Sequence, residues 1–255
     1  MPYLRISEDG MNFQNIPRTD KSIKRAFIPK LDYLMFCDYK QIEPRFLAFF
    51  LDSIGDTTLA EKLRDGDDTY TAIISQYYGR EDITEEERQD GKRLFLSLMY
   101  GGGTPTVIRQ FGVEYRVAKK MTDQFHAAWP GIRKLQGIID KVYEDRGYIH
   151  TPWGRHLHPP EAHKRLNALI QGSAADLIRY ALIRVDDHLR DNGYKSHMVS
   201  NVHDEIILDC TELELPILAR DMPKLMDYPV VSKVVPILTD VEWTSTNWAE
   251  KELYV

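Results

Sequence analysis

The chain has 255 residues, 43% hydrophobic and 28% charged, which is ordinary for a soluble globular protein. It contains no apolar run near the roughly 18 residues of a membrane span, and its N-terminus lacks the apolar core of a secretory signal. Two cysteines are too few for a zinc site or a disulfide framework, so we expect a reduced, cytoplasmic protein. The net charge of −6 counts mildly against nucleic-acid binding, although local basic clusters can still bind phosphates.

The first elements along the chain are a strand and three helices. "YLMFC" at 33–37 is typical of a short buried strand, and 42–52 and 69–79 are typical of helices. The clearest helix is predicted within 84–103, because Thr84 and Glu87 form a capping box and three glycines end it.

The second part of the chain alternates helices with short strands. In order, the pattern predicts helices near 115–128 and 131–146, a β-hairpin at 147–159, a long helix at 163–193, strands at 196–202 and 205–210, a helix near 212–226 and a strand near 233–241. Because strands cluster at both ends and helices fill the middle, we expect an α+β fold with a helical subdomain inserted between the strands of a sheet.

Two aspartates lie at the ends of predicted strands. Asp38 directly follows "YLMFC", and Asp204 lies at the turn between the strands 196–202 and 205–210. If these strands are neighbours, the carboxylates meet at the rim of the sheet and repel unless a divalent cation such as Mg²⁺ lies between them. Alternatively, each aspartate is simply a turn residue.

A basic stripe follows one face of the helix that begins at Thr84. Arg88, Lys92, Leu96 and Tyr100 recur at four-residue spacing, which places them along one side of the helix. Two cations followed by an aromatic ring suit a nucleoside triphosphate, with charges for the phosphates and a flat face for the base. A solvated helix face with ordinary charge pairs is the alternative.

Three segments together resemble motifs A, B and C of the family A DNA polymerases, the bacterial DNA polymerase I group. They are "DYKQIEPR" at 38–45, "RQDGKRLFLSLMYG" at 88–101 and "VHDE" at 202–205, in the family's order and spacing. Further matches are "NFQNIPR" at 12–18, "YIHTPWGRHLHP" at 148–159, "LNALIQGSAADLI" at 166–178 and the terminal "NWAE". The resemblance implies an antiparallel palm sheet formed by 1–55 and 148–255, with helical fingers formed by 56–147.

The resemblance also implies roles for the acidic residues. Asp38 and Asp204 correspond to the catalytic metal-binding pair, the Tyr39 carbonyl to a further ligand, and Glu205 to a supporting acid. The implied cofactor is a pair of Mg²⁺ ions, for which Mn²⁺ can substitute. In such a site the two ions would serve an in-line phosphoryl transfer.

The nucleotide and DNA contacts are implied in the same way. Arg88 and Lys92 correspond to the triphosphate-binding pair, with Lys92 donating a proton to the departing pyrophosphate, and Glu43 corresponds to the steric gate against a ribose 2′-hydroxyl. Further nucleotide contacts fall on Leu96, Tyr100 and Gln41, and contacts to the primer terminus or duplex fall on Arg5, Gln171 and His203.

The expected function is template-directed DNA synthesis, with primer–template DNA and deoxynucleoside triphosphates as partners and no membrane. Three other functions compete with it. A single-subunit RNA polymerase is disfavoured by Glu43, because that enzyme needs space for the 2′-hydroxyl. A DNA-binding subunit without activity should have lost an acid or a cation of the site. A metal nuclease would explain the acids but not the basic stripe.

The sequence departs from the family pattern in several places. Leu96 stands where the family commonly has Phe or Tyr, Tyr70 replaces a histidine, and Lys40 and Pro44 alter motif A. The thumb and 3′–5′ exonuclease regions are expected to be absent. The chain would then be an excised piece or half of a naturally split polymerase, for example a phage-encoded one acting in the host cytoplasm. In a split polymerase, a separate polypeptide would supply the missing regions.

Overall fold

The computed structural model of the chain describes residues 21–254. Its helices are α1 (Ile42–Asp52), α2 (Thr58–Arg64), α3 (Thr69–Tyr78), α4 (Glu85–Met99), α5 (Thr104–Phe111), α6 (Tyr115–Ala128), α7 (Gly131–Arg146), α8 (Ala162–Asp191), α9 (Leu215–Leu225) and α10 (Pro229–Ser232). Its strands are β1 (Tyr33–Tyr39), β2 (Ile149–His150), β3 (His156–Leu157), β4 (His197–Val202), β5 (Glu205–Cys210), β6 (Thr239–Thr244) and β7 (Glu252–Leu253). The α+β fold class is confirmed.

The chain divides into two compact units. The first contains the described part of Met1–Lys40 together with Leu177–Tyr228 and Ile237–Val255, and the second contains Gln41–Asp176 and Pro229–Pro236. Helix α8 contributes residues to both units. This division rests on packing alone, and the palm and fingers boundaries inferred from the sequence stay a prediction.

The first unit is built on a five-stranded antiparallel sheet with the order β4-β5-β1-β6-β7. The central strand β1 is apolar because both of its faces are covered. Met35 and Cys37 are fully buried, and helix α9 packs against β1 and β6. Leu34 and Phe36 project from the opposite face and pack with other apolar residues of the unit, including Trp248. Aspartates near the end of such a strand are therefore held on a rigid support.

The second unit is mainly helical, and its core is aromatic. Phe95 of α4 makes edge-to-face contacts with Tyr70 of α3, Phe125 of α6 and the following Trp129, at ring-centroid distances of 5.3–5.9 Å. Helix α4 begins with the predicted capping box, in which Thr84 and Glu87 each accept from the other's backbone N–H. Backbone and side-chain hydrogen bonds from Thr84 lower the pKa of the Glu87 carboxyl. The cap and this aromatic core fix the helix that carries the basic stripe.

Most predicted elements are present with bounds within a few residues, but the strand predicted at 233–241 is displaced. Residues 233–238 form an irregular segment after α10, and the strand β6 begins only at Thr239. Pro236 has no N–H for a strand ladder, its carbonyl accepts from the buried Arg45 guanidinium, and Val235 is fully buried. The short helices α2 and α5 were not predicted. None of the helices within residues 21–254 has the length and hydropathy needed to cross a membrane.

Candidate active site

The predicted catalytic acids lie at one end of the sheet in the first unit. Strand β1 pairs with β5 so that Asp38 is opposite Glu205, and it pairs with β6 so that Asp38 is also opposite Asp240. Directly opposed residues of antiparallel strands project from the same face, with Cβ atoms roughly 4.5–5.5 Å apart. Three carboxylates therefore form a row across the sheet, and Asp38 is the central one. The strand continues to Tyr39, so Asp38 lies within it rather than after it.

Two lysines compensate part of this negative charge. Lys251 Nζ lies 2.6 Å from Glu205 Oε1 and 2.5 Å from Glu242 Oε2. Burial alone would lower the pKa of Lys251, but the charges of Glu205 and Glu242 outweigh it and raise this pKa. Lys40 Nζ lies 2.5 Å from Asp240 Oδ1. The acids on either side of Asp38 are thus paired with cations of the same unit.

Asp204 directly precedes β5 at the turn of the β4–β5 hairpin. Val202 pairs with Glu205, so the turn consists of His203 and Asp204 alone. His203 has φ = 56°, a left-handed conformation that non-glycine residues seldom adopt and that clusters at functional sites. Within residues 21–254, Asp204 forms no ion pair. The tight turn places Asp204 next along the chain to Glu205, which pairs with Asp38 across the two strands.

Tyr39, whose carbonyl is the third predicted metal ligand, is fixed by its side chain. Its hydroxyl donates a 2.7 Å hydrogen bond to the Met226 carbonyl, and only 3% of the residue is exposed. Burial, followed by the negative charge of Asp227, raises the pKa of this hydroxyl, so it stays protonated. The backbone at the end of β1 is therefore anchored to the segment that follows α9.

The donor set of the first unit fits Mg²⁺. Hard divalent ions take oxygen ligands, and Mg²⁺ is usually held by one or two carboxylates while substrate phosphates and water complete its shell. Asp38 and Asp204 are the residues predicted to supply such carboxylates. Among the described residues, no group of three or more His, Cys, Asp or Glu side chains is arranged to hold a metal ion by itself.

The predicted triphosphate-binding residues project from α4 in the second unit. Arg88 Nε donates a 2.6 Å hydrogen bond to Asp68 Oδ2, and the Arg88 guanidinium carbon lies 5.6 Å from the centre of the Tyr70 ring. Lys92 Nζ lies 5.8 Å from the same ring centre and forms no ion pair with the described residues. Both cations therefore share one aromatic neighbour, Tyr70.

Gly91 lies between Arg88 and Lys92 and lets α3 approach α4 closely. A Cβ atom at this position would lie 2.1 Å from the Tyr70 carbonyl oxygen and 3.2 Å from Ile74 Cβ. Real Cβ atoms do not come so close to a backbone oxygen, so only glycine permits this spacing. The contact of Tyr70 with both cations depends on it.

We expect Gly91→Ala to destabilise the protein, because the added methyl group forces α3 away from α4. Overpacking of this kind costs about 1–3 kcal/mol of unfolding free energy, which denaturant unfolding would measure. The matched control is Gly137→Ala in α7, where nothing lies within 4 Å of an added Cβ. Alanine there should stabilise the helix by roughly 0.5–1 kcal/mol. Equal stability of the two variants would contradict the close approach of α3 to α4.

Three further predicted residues come together in the second unit. Glu43 of α1 accepts a 3.5 Å hydrogen bond from Gln171 Nε2 of α8. Burial, followed by the negative charge of Glu43, raises the pKa of the Tyr100 hydroxyl. Tyr100 directly follows α4, at the end of the basic stripe. Glu43, the predicted steric gate, is therefore near both Tyr100 and the predicted DNA contact Gln171.

The remaining predicted residues have varied settings. Gln41 precedes α1 with φ = 49°, and it and His203 are the non-glycine residues within 21–254 that have a positive φ. Leu96 is half-buried on α4 between Lys92 and Tyr100. Arg5 lies outside the described residues. Asp68, Asp240 and Lys251 are not among the residues predicted from the sequence, although the alternation of Asp240 and Glu242 in "TDVEWT" is typical of an acidic face of a strand.

Comparison with known protein families shows that these motifs belong to a single family pattern. A sequence model of DNA polymerase family A matches residues 4–250, which include both the acids and the basic stripe. This chain belongs to DNA polymerase family A.

The family A chain is similar to bacterial DNA polymerase I proteins. It is 32% identical to that of Chloroflexus aurantiacus, covering 96% of the chain and 28% of the relative. It is 31% identical to that of Lactococcus lactis subsp. lactis, covering 96% and 30%. The chain therefore spans under one third of the length of these relatives.

A solved structure has the same fold as the family A chain. It is the POL domain of Pol1 from M. smegmatis in complex with DNA primer-template and dNTP. The TM-score is 0.83 at 29% identity, over 93% of this chain and 44% of that one.

Proposed function

We propose that this chain catalyses template-directed DNA synthesis, adding deoxynucleotides to a primer 3′-hydroxyl with release of pyrophosphate. The observation that carries the proposal is the family A match over residues 4–250. That range includes the three motif segments at 38–45, 88–101 and 202–205. The neighbour solved with primer-template and dNTP supports the same substrates. Relatives named DNA polymerase I favour DNA over RNA synthesis.

In this proposal Asp38 and Asp204 hold divalent ions, with the Tyr39 carbonyl as a further ligand and Glu205 as a supporting acid. When bound, two such ions activate the attacking hydroxyl and stabilise the charge that develops on the transferred phosphoryl group. Mg²⁺ is the proposed ion, with Mn²⁺ as a substitute. Ion pairing of Glu205 with Lys251 supports a secondary role for this acid, because part of its charge is already compensated.

The cations of α4 bind the triphosphate. Arg88 and Lys92 donate charge-assisted hydrogen bonds to phosphate oxygens, which are roughly twice as strong as neutral ones. The primer 3′-hydroxyl loses its proton to water, and its oxygen forms the new bond to phosphorus as the bond to pyrophosphate breaks. Lys92 Nζ gives a proton to the departing pyrophosphate oxygen. The absence of an ion pair on Lys92 within the described residues supports this role, since no carboxylate there holds its proton.

The DNA contacts are proposed on the same basis. Gln171 is exposed on α8, and His203 is exposed at the hairpin turn, so both are accessible to a duplex. Arg5 is proposed from the sequence alone. Leu96 and Gln41 are proposed to contact the incoming nucleotide. A separate polypeptide that supplies thumb and exonuclease regions remains a prediction from the sequence without support among the described residues.

Primer extension tests this function. The chain should extend a labelled primer on a DNA template when Mg²⁺ or Mn²⁺ and deoxynucleotides are present, and a chelator should stop it. Ribonucleotides should be incorporated far less efficiently. A chain that degrades the primer under these conditions would favour the nuclease alternative, and a preference for ribonucleotides would favour the RNA polymerase alternative.

Glu43→Ala is expected to weaken sugar discrimination, because the side chain that blocks the 2′-hydroxyl is removed. Steric pockets discriminate small groups by roughly 10- to 200-fold, which sets the expected loss. Single-nucleotide incorporation with matched deoxy- and ribonucleotides measures it. Glu43→Gln is the matched control, since it keeps the bulk but removes the charge, and it should retain discrimination. If both variants lose discrimination equally, charge rather than size operates at this position.

A further inference from the structure

Asp68 makes two kinds of contact at the junction of α3 and α4. Its Oδ1 accepts hydrogen bonds from the backbone N–H groups of Tyr70 at 2.9 Å and Thr71 at 3.1 Å, which caps the N-terminus of α3. Its Oδ2 accepts the 2.6 Å hydrogen bond from Arg88 Nε. One carboxylate therefore links the start of α3 to the side chain of a predicted triphosphate ligand on α4.

The contact engages only one edge of the Arg88 guanidinium. Nε is occupied, whereas Nη1 has a single contact in the described residues, 3.6 Å from Glu85 Oε1, which is too long for a hydrogen bond. The terminal N–H groups of arginine form a planar fork that matches two phosphate oxygens. Holding Nε fixes the plane of that fork and leaves its terminal nitrogens available for phosphate.

The surroundings of Arg88 restrict it further. The Tyr70 ring lies 5.6 Å from the guanidinium carbon, and Tyr70 itself is buried at 3% exposure. About 30% of the Arg88 side chain and 31% of the Asp68 side chain are exposed, so the pair is partly shielded from water. A long side chain held in this way loses less conformational freedom when it binds a ligand.

Lys92, one turn further along α4, provides the contrast. It contacts the same ring, but it has no ion pair within the described residues. If charge alone mattered at Arg88, Asp68 would oppose triphosphate binding by neutralising the guanidinium. If geometry matters, Asp68 supports binding. The two roles predict opposite effects when the charge of Asp68 is removed.

We infer that Asp68 is a positioning residue, which orients the Arg88 guanidinium for the triphosphate of the incoming nucleotide. The inference rests on the proposed polymerase function. Because Asp68 also caps α3, the orientation of Arg88 is tied to the packing of α3 against α4 through Gly91 and Tyr70.

The test is Asp68→Asn, which separates the two contacts. Asparagine is as good an N-cap as aspartate, so the bonds to Tyr70 and Thr71 are retained. Its amide nitrogen takes the place of Oδ2, so a donor now faces the Nε–H donor of Arg88. We expect the apparent Kd for the deoxynucleotide in single-turnover kinetics to rise roughly tenfold, with a much smaller change in the maximal rate and an unchanged Tm. A tenfold change corresponds to about 1.4 kcal/mol.

Two comparisons make the result specific. Asp90→Asn removes another carboxylate that pairs with an arginine of α4, Arg93, and it should leave the Kd unchanged. In an Arg88→Ala background, Asp68→Asn should have no further effect, because nothing remains to orient. Arg88→Lys, which has no Nε, should show a raised Kd that is insensitive to Asp68→Asn.

Unchanged or tighter nucleotide binding in Asp68→Asn would overturn the inference, as would an equal loss in the Arg88→Ala background. A lowered Tm with the same Kd would assign Asp68 to the helix cap alone and would also overturn it. Failure of the proposed function would look different, because the unmodified chain would then incorporate no nucleotide at all.

Discussion

Asp38→Asn and Asp204→Asn are each expected to reduce nucleotide incorporation by at least roughly 10³-fold while leaving the fold intact. Metal ions stabilise the transition state by several kcal/mol, and each 1.36 kcal/mol is a factor of ten. Asparagine has the shape of aspartate but not its charge, so it holds a divalent ion poorly. The fold should be retained, because each substitution exchanges side chains of nearly the same volume.

The matched control is Asp240→Asn, in the same row of carboxylates. Asp240 is paired with Lys40 and lies on the opposite side of Asp38 from Glu205. Incorporation by this variant should stay within about tenfold of the unmodified chain, consistent with the modest value of exposed ion pairs. Single-turnover kinetics and thermal unfolding provide the two readouts. Near-normal incorporation by Asp38→Asn, or an equal loss in Asp240→Asn, would contradict the assignment of the metal ligands.

Lys92→Ala is expected to impair the chemical step most strongly among variants of the basic stripe. Hydrogen bonds to charged groups contribute about 1.5–3 kcal/mol, so loss of phosphate binding alone gives roughly 10- to 150-fold. Loss of the proposed proton donor adds a further 10²-fold or more, the lower range for general acid catalysis. Arg88→Ala should lose only the contribution to phosphate binding. It should therefore raise the apparent Kd for the nucleotide more than it lowers the maximal rate.

Lys92→Arg separates charge from proton donation. Arginine keeps the positive charge but does not release its proton in proteins, so nucleotide binding should be largely retained while the maximal rate stays low. Arg93→Ala, on an exposed position of the same helix and paired with Asp90, is the control and should have little effect. If Lys92→Arg restores the maximal rate, Lys92 acts only through its charge.

The sequence predicted that acidic residues lie at the ends of strands, but it did not predict how these strands are aligned with one another. Hydrophobicity identified β1 and β5, and the turn residues between β4 and β5 located Asp204. The pattern did not reveal that Asp38 lies opposite both Glu205 and Asp240, since cross-strand pairing depends on contacts between residues about 170 to 200 positions apart, as the register shows. The pairing of lysines with the neighbouring acids was equally hidden in the sequence. Lys251, for example, reaches Glu205 only after the C-terminal segment folds onto the sheet.

The basic helix was predictable because its signals are local. The capping box, the acidic first turn and the four-residue spacing of Arg88 and Lys92 all act within a few residues of each other. The contacts that orient these cations come from the segment that begins α3, and the sequence did not predict them. The close packing of α3 on α4 at Gly91 was also not predicted, because a glycine within a helix does not by itself indicate a close contact. The paired roles of Asp68 became visible only with both helices in place.

The strand predicted at 233–241 begins six residues later in the structure, which shows where the local pattern fails. "VSKVVPIL" is rich in β-branched residues, but Pro236 cannot join a ladder and Arg45 captures its carbonyl. Tertiary contacts of the second unit thus override strand propensity. Helices α2 and α5 were missed because each spans only two turns, too short for a clear apolar period.

Selection of the nucleotide by the templating base is the decisive measurement for DNA synthesis by this chain. Four primer–templates that differ only in the first templating base would each be offered the four deoxynucleotides singly, with Mg²⁺, in single-turnover reactions. We expect the complementary nucleotide to be incorporated by far the most efficiently on each template, and Asp38→Asn to abolish all four reactions. Incorporation that is independent of the templating base, or no incorporation with either Mg²⁺ or Mn²⁺, would contradict it.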